Sequence, residues 1–427
     1  MQTLARWACA CVVVCGVVAP RAAAQQMDVD KAQAEKTIAR AIDFLKSKQD
    51  AETGGWSVPP KGTAAPTFPA ISALVLNGML MQPGIRADDA AVSKGGAFVL
   101  GFAKPDGGIY DTMLPTYNTA ISLSALARLN TPAAKAAVGP AQEFLRRSQW
   151  GSSEPLGVGG AGGKEAPAAV GREHPFYGGV GYGNRGRPDI SNLAFFLQGL
   201  HDSGVPTDDP AVQRALVFLQ RCQMLASAGG KTVNDQPFAA GSRQGGFVYA
   251  TAENDKTLGE GQSFAGRIEE TLDDGTKVSK LASYGSVTYL GFKSYIYAGL
   301  APTDPRVRAA YDWIKRNYDL SVNTGMPAEE GRKYDGYYYY LLAMGRALDA
   351  GGLTTINTIG ADGATAARNW RADLLARLAE LQQEDGSFRV LDDRWMEDNP
   401  VLITAYGLIA AQHALRGDGG AAAASAK

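Results

Sequence analysis

The sequence predicts an all-α protein made of six helical hairpins, and three observations carry the prediction. One pattern recurs along the chain: a basic residue, a small residue, an aromatic–aliphatic pair, then Gln four residues after the aliphatic member. A Gly-rich turn with an aromatic residue often follows. Each copy is succeeded by a second apolar segment of helical spacing, so the repeating unit is a pair of helices.

The fullest copy is Arg40-Ala41, Phe44-Leu45, Gln49 and Gly55-Trp56. The second has Lys94-Gly95 and Phe98-Val99, with Ala103 in place of Gln, then Gly107-Gly108-Ile109-Tyr110. Ala141, Phe144-Leu145 and Gln149 form the third, and Arg214-Ala215, Phe218-Leu219 and Gln223 the fourth. The fifth has Arg308-Ala309 and Trp313-Ile314, with Tyr318 at the Gln position. The sixth ends in Gln383-Glu384-Asp385-Gly386-Ser387-Phe388, with Leu378 matched to Phe44.

The second segments lie near 67–80, 116–129, 189–200, 284–300, 335–348 and 399–415. They are apolar almost all round, as in Ala120-Ile121-Ser122-Leu123-Ser124-Ala125-Leu126, and a helix with that pattern is buried on most sides. The first segments carry one apolar stripe and belong outside. Glycines after each outer helix permit a left-handed residue that stops it. Two repeats carry insertions, 151–187 and 225–283. The second contains strand-like runs at 246–249, 268–272 and 276–281, the latter two forming a hairpin about Asp274-Gly275. Loops of this length in a compact domain are commonly functional. Both precede an inner helix, so both belong at the same end of the bundle.

The N-terminus reads as an export signal over residues 1–24. Arg6 precedes an apolar run of 13 residues, Trp7 to Ala19, and Ala22-Ala23-Ala24 forms a cleavage site before Gln25. The run is too short to span a bilayer as a helix, and no later segment approaches 18 apolar residues, so no transmembrane segment is expected. The predicted location is periplasmic or extracellular. Cys9, Cys11 and Cys15 leave with the leader, so the mature chain keeps Cys222 and no intrachain disulfide. Of 42 basic residues, loss of Arg6 and Arg21 leaves 40 against 43 acidic ones. That balance, without a long basic run, argues against nucleic acid as a partner. The Gly/Ala-rich tail 417–427 is expected to be disordered.

The repeats resemble the QW repeats of squalene–hopene cyclases. Six hairpins is also the count of the α6/α6 toroid that terpenoid cyclases share with protein prenyltransferase β-subunits. The resemblance covers the mature chain, 25–416, and implies that the hairpins close into a ring; periodicity alone permits an open solenoid. The family's chemistry does not carry over. Cyclases of this kind use the central Asp of a D-x-D-D run, and the matching stretch here is Asp189-Ile190-Ser191-Asn192. A serine hydroxyl cannot supply that proton. The prenyltransferase zinc stretch is matched by Asp335-Gly336-Tyr337-Tyr338, with Tyr338 where the histidine ligand belongs. His174, His201 and His413 have no metal spacing. Neither metal nor cofactor is expected.

In a closed ring the inner helices start at one mouth, and their positive dipole ends would hold an anion or a polar ligand head. Below it, the run Tyr337, Tyr338, Tyr339 and Tyr340, with Tyr117, Tyr284, Tyr289 and Trp395, would line an apolar cavity, with Asp189 and Asn192 at its edge. Asp189 also reads as an ordinary N-cap. Three functions stay open: a protein that binds a hydrophobic, isoprenoid-like molecule or a protein partner without chemistry; a terpenoid cyclase-like enzyme using Asp189 or Asp335 as its acid; and a polysaccharide lyase or hydrolase, which needs two carboxyl groups flanking a groove.

Overall fold

The structure, a computed structural model, describes residues 19–154, 169–183, 187–272 and 274–415, with side chains from residue 31 onward and without those of 329 and 330. Most of the expected leader, the core of the first insertion, Asp273 and the expected tail lie outside the described residues.

Twelve α-helices alternate between two rings among the described residues. The outer helices are α1 (Ala19–Ser47), α3 (Ala90–Leu100), α5 (Pro132–Arg147), α7 (Pro210–Cys222), α9 (Pro305–Arg316) and α11 (Trp370–Leu381). The inner helices are α2 (Pro69–Leu80), α4 (Pro115–Leu129), α6 (Ile190–Asp202), α8 (Gly285–Tyr297), α10 (Tyr337–Ala350) and α12 (Pro400–Leu415). Each inner helix packs on the next, and α12 packs on α2, so the ring closes. The chain is an all-α, α6/α6 toroid.

The rings differ in burial as their sequences differ in pattern. Every residue of α12 from Val401 to Ala414 is buried, whereas α9 buries Val307, Ala310, Trp313 and Ile314 along one stripe. Closure is reinforced by the repeated glutamine. Gln49 donates to Gly54 O and Ala91 O, both at 2.8 Å; Gln149 donates to Gly178 O and Ala211 O; Gln223 donates to Gly245 O and Arg306 O. Each side chain thus ties its own glycine turn to the start of the next outer helix. Tyr318 does the same work by donating to Asp373 in the first turn of α11, at 2.8 Å. In the sixth repeat the working residue is Gln382, which donates to Gly386 O and to Thr37 O of α1. The alignment on Gln383 was therefore one residue off: Leu378 takes the place of Leu45, not of Phe44.

Small antiparallel hairpins decorate the toroid. β1 (Ser227–Ala228) pairs with β2 (Lys231–Thr232). β3 (Arg267–Thr271) and β4 (Lys277–Leu281) form the hairpin expected about Asp274-Gly275. β5 (Ile356–Ile359) and β6 (Thr365–Arg368), between α10 and α11, have no counterpart in the expectations. The expected strand at 246–249 makes only a single bridge, Gln223 to Phe247. Cys222 is fully buried. No helix among the described residues is long and apolar enough to cross a membrane.

Candidate functional site: an aromatic cavity at the inner-helix starts

The six inner helices begin at one end of the toroid, and their exposed amides were expected to hold an anion there. In the structure a protein acceptor already takes at least one of these amides at every inner helix. Asn118 Oδ1 accepts from Ala70 N at 3.0 Å, and Tyr182 O accepts from Thr116 N at 3.3 Å. Asp189 Oδ1 takes Asn192 N, Asn323 Oδ1 takes Ser286 N, and Asn399 Oδ1 takes Val401 N. Glu397 takes both Tyr338 N and Tyr339 N. Each inner-helix start thus already holds an acceptor supplied by the protein.

Below these caps lies a cavity of about 290 Å³ to which all six inner helices contribute. Its walls include Ile71 and Leu74 of α2, Val287 of α8 and Leu402 of α12. Nine of its nineteen lining residues are aromatic, so ring faces dominate the surface a ligand would meet. Tyr182 comes from the first insertion, Tyr249 and Phe264 from the second. Both insertions therefore converge on this end of the toroid.

Several tyrosine hydroxyls are hydrogen-bonded within the lining. Tyr339 OH lies 2.6 Å from Ser191 Oγ, Tyr117 bonds to Tyr406, and Tyr182 bonds to Tyr249. Burial raises the Tyr117 hydroxyl to about 12, so it stays neutral. Glu397 is the sole carboxyl group among the lining residues. Desolvation pushes it from its ordinary 4.5 up to about 8, against the pull of the two amides it caps. A neutral carboxylic acid thus faces an apolar, aromatic chamber.

Trp395 and Met396 form the rim. Both adopt left-handed backbone, φ 56° and 67°, and both side chains stay over two-fifths exposed. Non-glycine residues rarely adopt that region. The Trp395 ring packs 5.3 Å from Phe264, and the Arg394 guanidinium lies 4.6 Å from its centre. Gly336 leaves room for it, since a Cβ there would stand 2.8 Å from Trp395 Cε3. The left-handed pair turns the chain so that Glu397, the next residue, points inward.

The expected residues separate into two groups. Tyr117, Tyr284 and Trp395 line the cavity. Tyr337 and Tyr338 do not: their hydroxyls donate to Leu320 O and Arg389 O outside it. Successive helical residues point 100° apart, and Tyr339 is the one of the four consecutive tyrosines that faces the axis. Asp189 and Asn192 lie behind the wall, bonded to each other through Asn192 Nδ2 at 2.9 Å. Burial raises the Asp189 carboxyl, and Arg187, 3.7 Å away, pulls it back. Asp335 is also outside the lining, bracketed by Arg394 at 2.9 Å and Arg332 at 3.3 Å. Glu397 was missed because it reads as one more acid in a polar turn. The pair of carboxyl groups that glycan cleavage needs is missing from the lining, which holds one. Among the described residues no three His, Cys, Asp or Glu side chains come together.

No protein-family model matches the chain, and no curated protein does. Among solved structures, the chain is similar to a variant of the type II terpene cyclase MstE from Scytonema in complex with geranylgeranyl dihydroxybenzoate. The identity is 13%, over 90% of this chain and 98% of that one, with a TM-score of 0.48. It is also similar to a protein from Actinoplanes, at 17% identity over 89% and 99% of the two chains, with a TM-score of 0.45. The closed double ring of six hairpins, joined inner helix to inner helix from α2 round to α12 and back, is itself the terpenoid cyclase-like architecture that the repeats imply.

Proposed function

We propose that the chain is an exported binding protein that encloses a neutral, isoprenoid-like hydrocarbon in the axial cavity. The observation that carries this reading is the pairing of an aromatic chamber with helix starts that are all capped from within. Apolar lining supplies the affinity for a hydrocarbon body. Ring faces suit the double bonds of a polyene. Capped amides leave no cradle for a diphosphate or carboxylate head.

The test is ligand capture. The protein is incubated separately with squalene, farnesol and farnesyl diphosphate, then separated from free ligand, and bound material is measured by mass spectrometry. Retention of squalene or farnesol, with farnesyl diphosphate washed through, is the expected result. Preferential retention of the diphosphate would overturn the reading. Export is checked by sequencing the N-terminus of protein recovered outside the cytoplasm, with Gln25 expected first.

A second reading rests on Glu397. A protonated carboxyl group facing bound polyene is placed to give its proton to a double bond, forming a C–H bond and leaving a carbocation beside aromatic faces. In that case the captured lipid is released as a cyclic product, and Glu397→Gln retains the lipid without converting it. Recovery of unchanged lipid supports binding alone.

A further inference from the structure

On every inner helix, a polar buried side chain stands seven residues beyond one that lines the cavity. The pairs are Ala70 with Asn77, Tyr117 with Ser124, Ser191 with Gln198, Ser286 with Lys293, Tyr339 with Arg346, and Tyr406 with His413. Seven residues are just under two helical turns, so each pair shares a helix face about 10 Å apart. The toroid therefore carries a polar tier below its apolar cavity. An aromatic floor separates the two: Tyr117 and Phe195 ring centres lie 5.2 Å apart, Phe195 and Tyr339 5.9 Å, and Tyr339 and Tyr406 5.8 Å.

Two basic side chains are buried in this tier. Lys293 is 1% exposed and Arg346 5% exposed; burial lowers the proton affinity of both, and the Arg346 charge lowers that of Lys293 further. Lys293 Nζ donates to the neutral Gln198 Oε1 at 2.6 Å, not to a carboxylate. Gln198 in turn donates to both oxygens of Asp202 at 2.9 Å. Asp202 also answers to His201 and Arg128, which hold it down at about 2. Asp349 is engaged by Arg371 at 3.0 Å and His413 at 2.7 Å. Lys293, Arg346 and Arg128 all draw on the same carboxylate, Asp202. Arg346 Nε and Ser124 Oγ are among the buried donors without a hydrogen-bond partner in the protein.

Buried like charges and unmet donors are costly unless something compensates them. The C-terminal ends of the inner helices offset part of the positive charge. They do nothing for the unpartnered guanidinium N–H and the serine hydroxyl. A guanidinium fork, an ammonium and a hydroxyl together form a donor set matched to an oxyanion. Solvent is one turn away, where His201 stacks on Tyr297 at 3.9 Å and stays nearly half exposed.

We propose that Lys293, Arg346 and Ser124 form an oxyanion site on the toroid axis below the aromatic floor. It takes a small free oxyanion, phosphate or a short carboxylate, and it is separate from the lipid cavity.

The test uses the whole protein in a chloride buffer at constant ionic strength and pH 7, titrated with inorganic phosphate and, separately, with acetate. Thermal melting and titration calorimetry are read. Saturable stabilisation by one of the two is expected, with a rise in Tm of several degrees at saturation. The preferred anion identifies the source. Lys293→Met and Arg346→Met should each weaken binding on the order of tenfold or more. In chloride both variants should melt at or above the wild-type temperature, because one of two repelling buried charges is gone. Ser124→Ala, a milder change, should weaken binding without altering the fold. Farnesol capture should be unchanged in all three. The proposal is overturned if neither anion stabilises the wild type saturably, or if stabilisation survives all three substitutions.

Discussion

Glu397 Oε1 lies 2.8 Å from the amide nitrogen of Tyr339, and Oε2 lies 3.0 Å from that of Tyr338, so one carboxyl group both caps α10 and faces the cavity. The folded protein keeps the Glu397 proton up to about pH 8, whereas the unfolded chain releases it near 4.5. Between those values the folded state binds more protons, so stability falls as pH rises, by at most about 1.4 kcal/mol per pH unit from this group. Below pH 4.5 both states are protonated and the dependence vanishes. Glu397→Gln should remove this part of the slope. It should cost about 1 kcal/mol at pH 5, where an acceptor is lost, and be neutral or stabilising above pH 8. Urea unfolding at several pH values measures it; parallel curves for variant and wild type would count against a buried neutral Glu397.

Trp395 closes the cavity rim from a left-handed backbone position, held by Phe264 and Arg394. Trp395→Gly removes the ring while suiting the backbone better than any other residue. Loss of packing and relief of strain then oppose each other, so folding stability should change by no more than about 1 kcal/mol. Ligand release, in contrast, should speed up roughly tenfold as the rim opens. Dissociation of a fluorescent polyene followed by stopped flow gives the rate. An unchanged rate would place the exit elsewhere.

Asp189 accepts from both Asn192 N and Asn192 Nδ2, each at 2.9 Å, and is fully buried. Asp189→Ala strips α6 of its cap and leaves the Asn192 amide without its acceptor. A loss of about 2 kcal/mol or more is expected. Asp189→Asn keeps one acceptor oxygen and removes a carboxyl that burial disfavours as an anion. It should therefore recover most of the stability, and more so at high pH than at low pH. A loss of lipid conversion in Asp189→Asn with unchanged melting would instead assign this residue to chemistry.

The contrast between α10 and the 392–399 turn marks where the sequence is legible. Six outer stripes and six all-apolar segments announce the two rings, because helical burial leaves a periodic trace. Tyr117 and Tyr284 follow from lying at inner-helix starts. Which of four consecutive tyrosines faces the axis depends on where α10 begins, and an error of one residue turns the helix by 100°. The Lys293 and Arg346 positions did leave a signal: a charge interrupting an apolar inner segment, seven residues after a cavity position. Glu397 left none. Its inward direction comes from two left-handed residues, Trp395 and Met396, at which nothing in the sequence asks for glycine-like backbone. Tyr182, Tyr249 and Phe264 are brought in by insertions whose paths no periodicity encodes.

Gln382 tests ring closure directly. Its amide nitrogen lies 2.9 Å from Thr37 O and 3.1 Å from Gly386 O, joining the last repeat to the first across most of the chain. Gln149 makes the equivalent link between neighbouring repeats, to Gly178 O and Ala211 O, from a fully buried position. Substituting Leu at either site leaves two carbonyls without this partner, at roughly 1–3 kcal/mol. The consequences should differ in place. Gln149→Leu also strands Arg214, whose Nε donates to Gln149 Oε1 at 2.9 Å, and should weaken the α5–α7 junction. Gln382→Leu should loosen α1 from α11, because that seam has no covalent link close by, whereas the remaining neighbours are also joined through the chain. Hydrogen exchange resolved by peptide is the measurement. Faster exchange concentrated in α1 and α11 for Gln382→Leu, and in α5 and α7 for Gln149→Leu, is expected. Uniform acceleration in both variants would mean that the ring opens as one cooperative unit and that the glutamine links set its overall stability, not the strength of single seams.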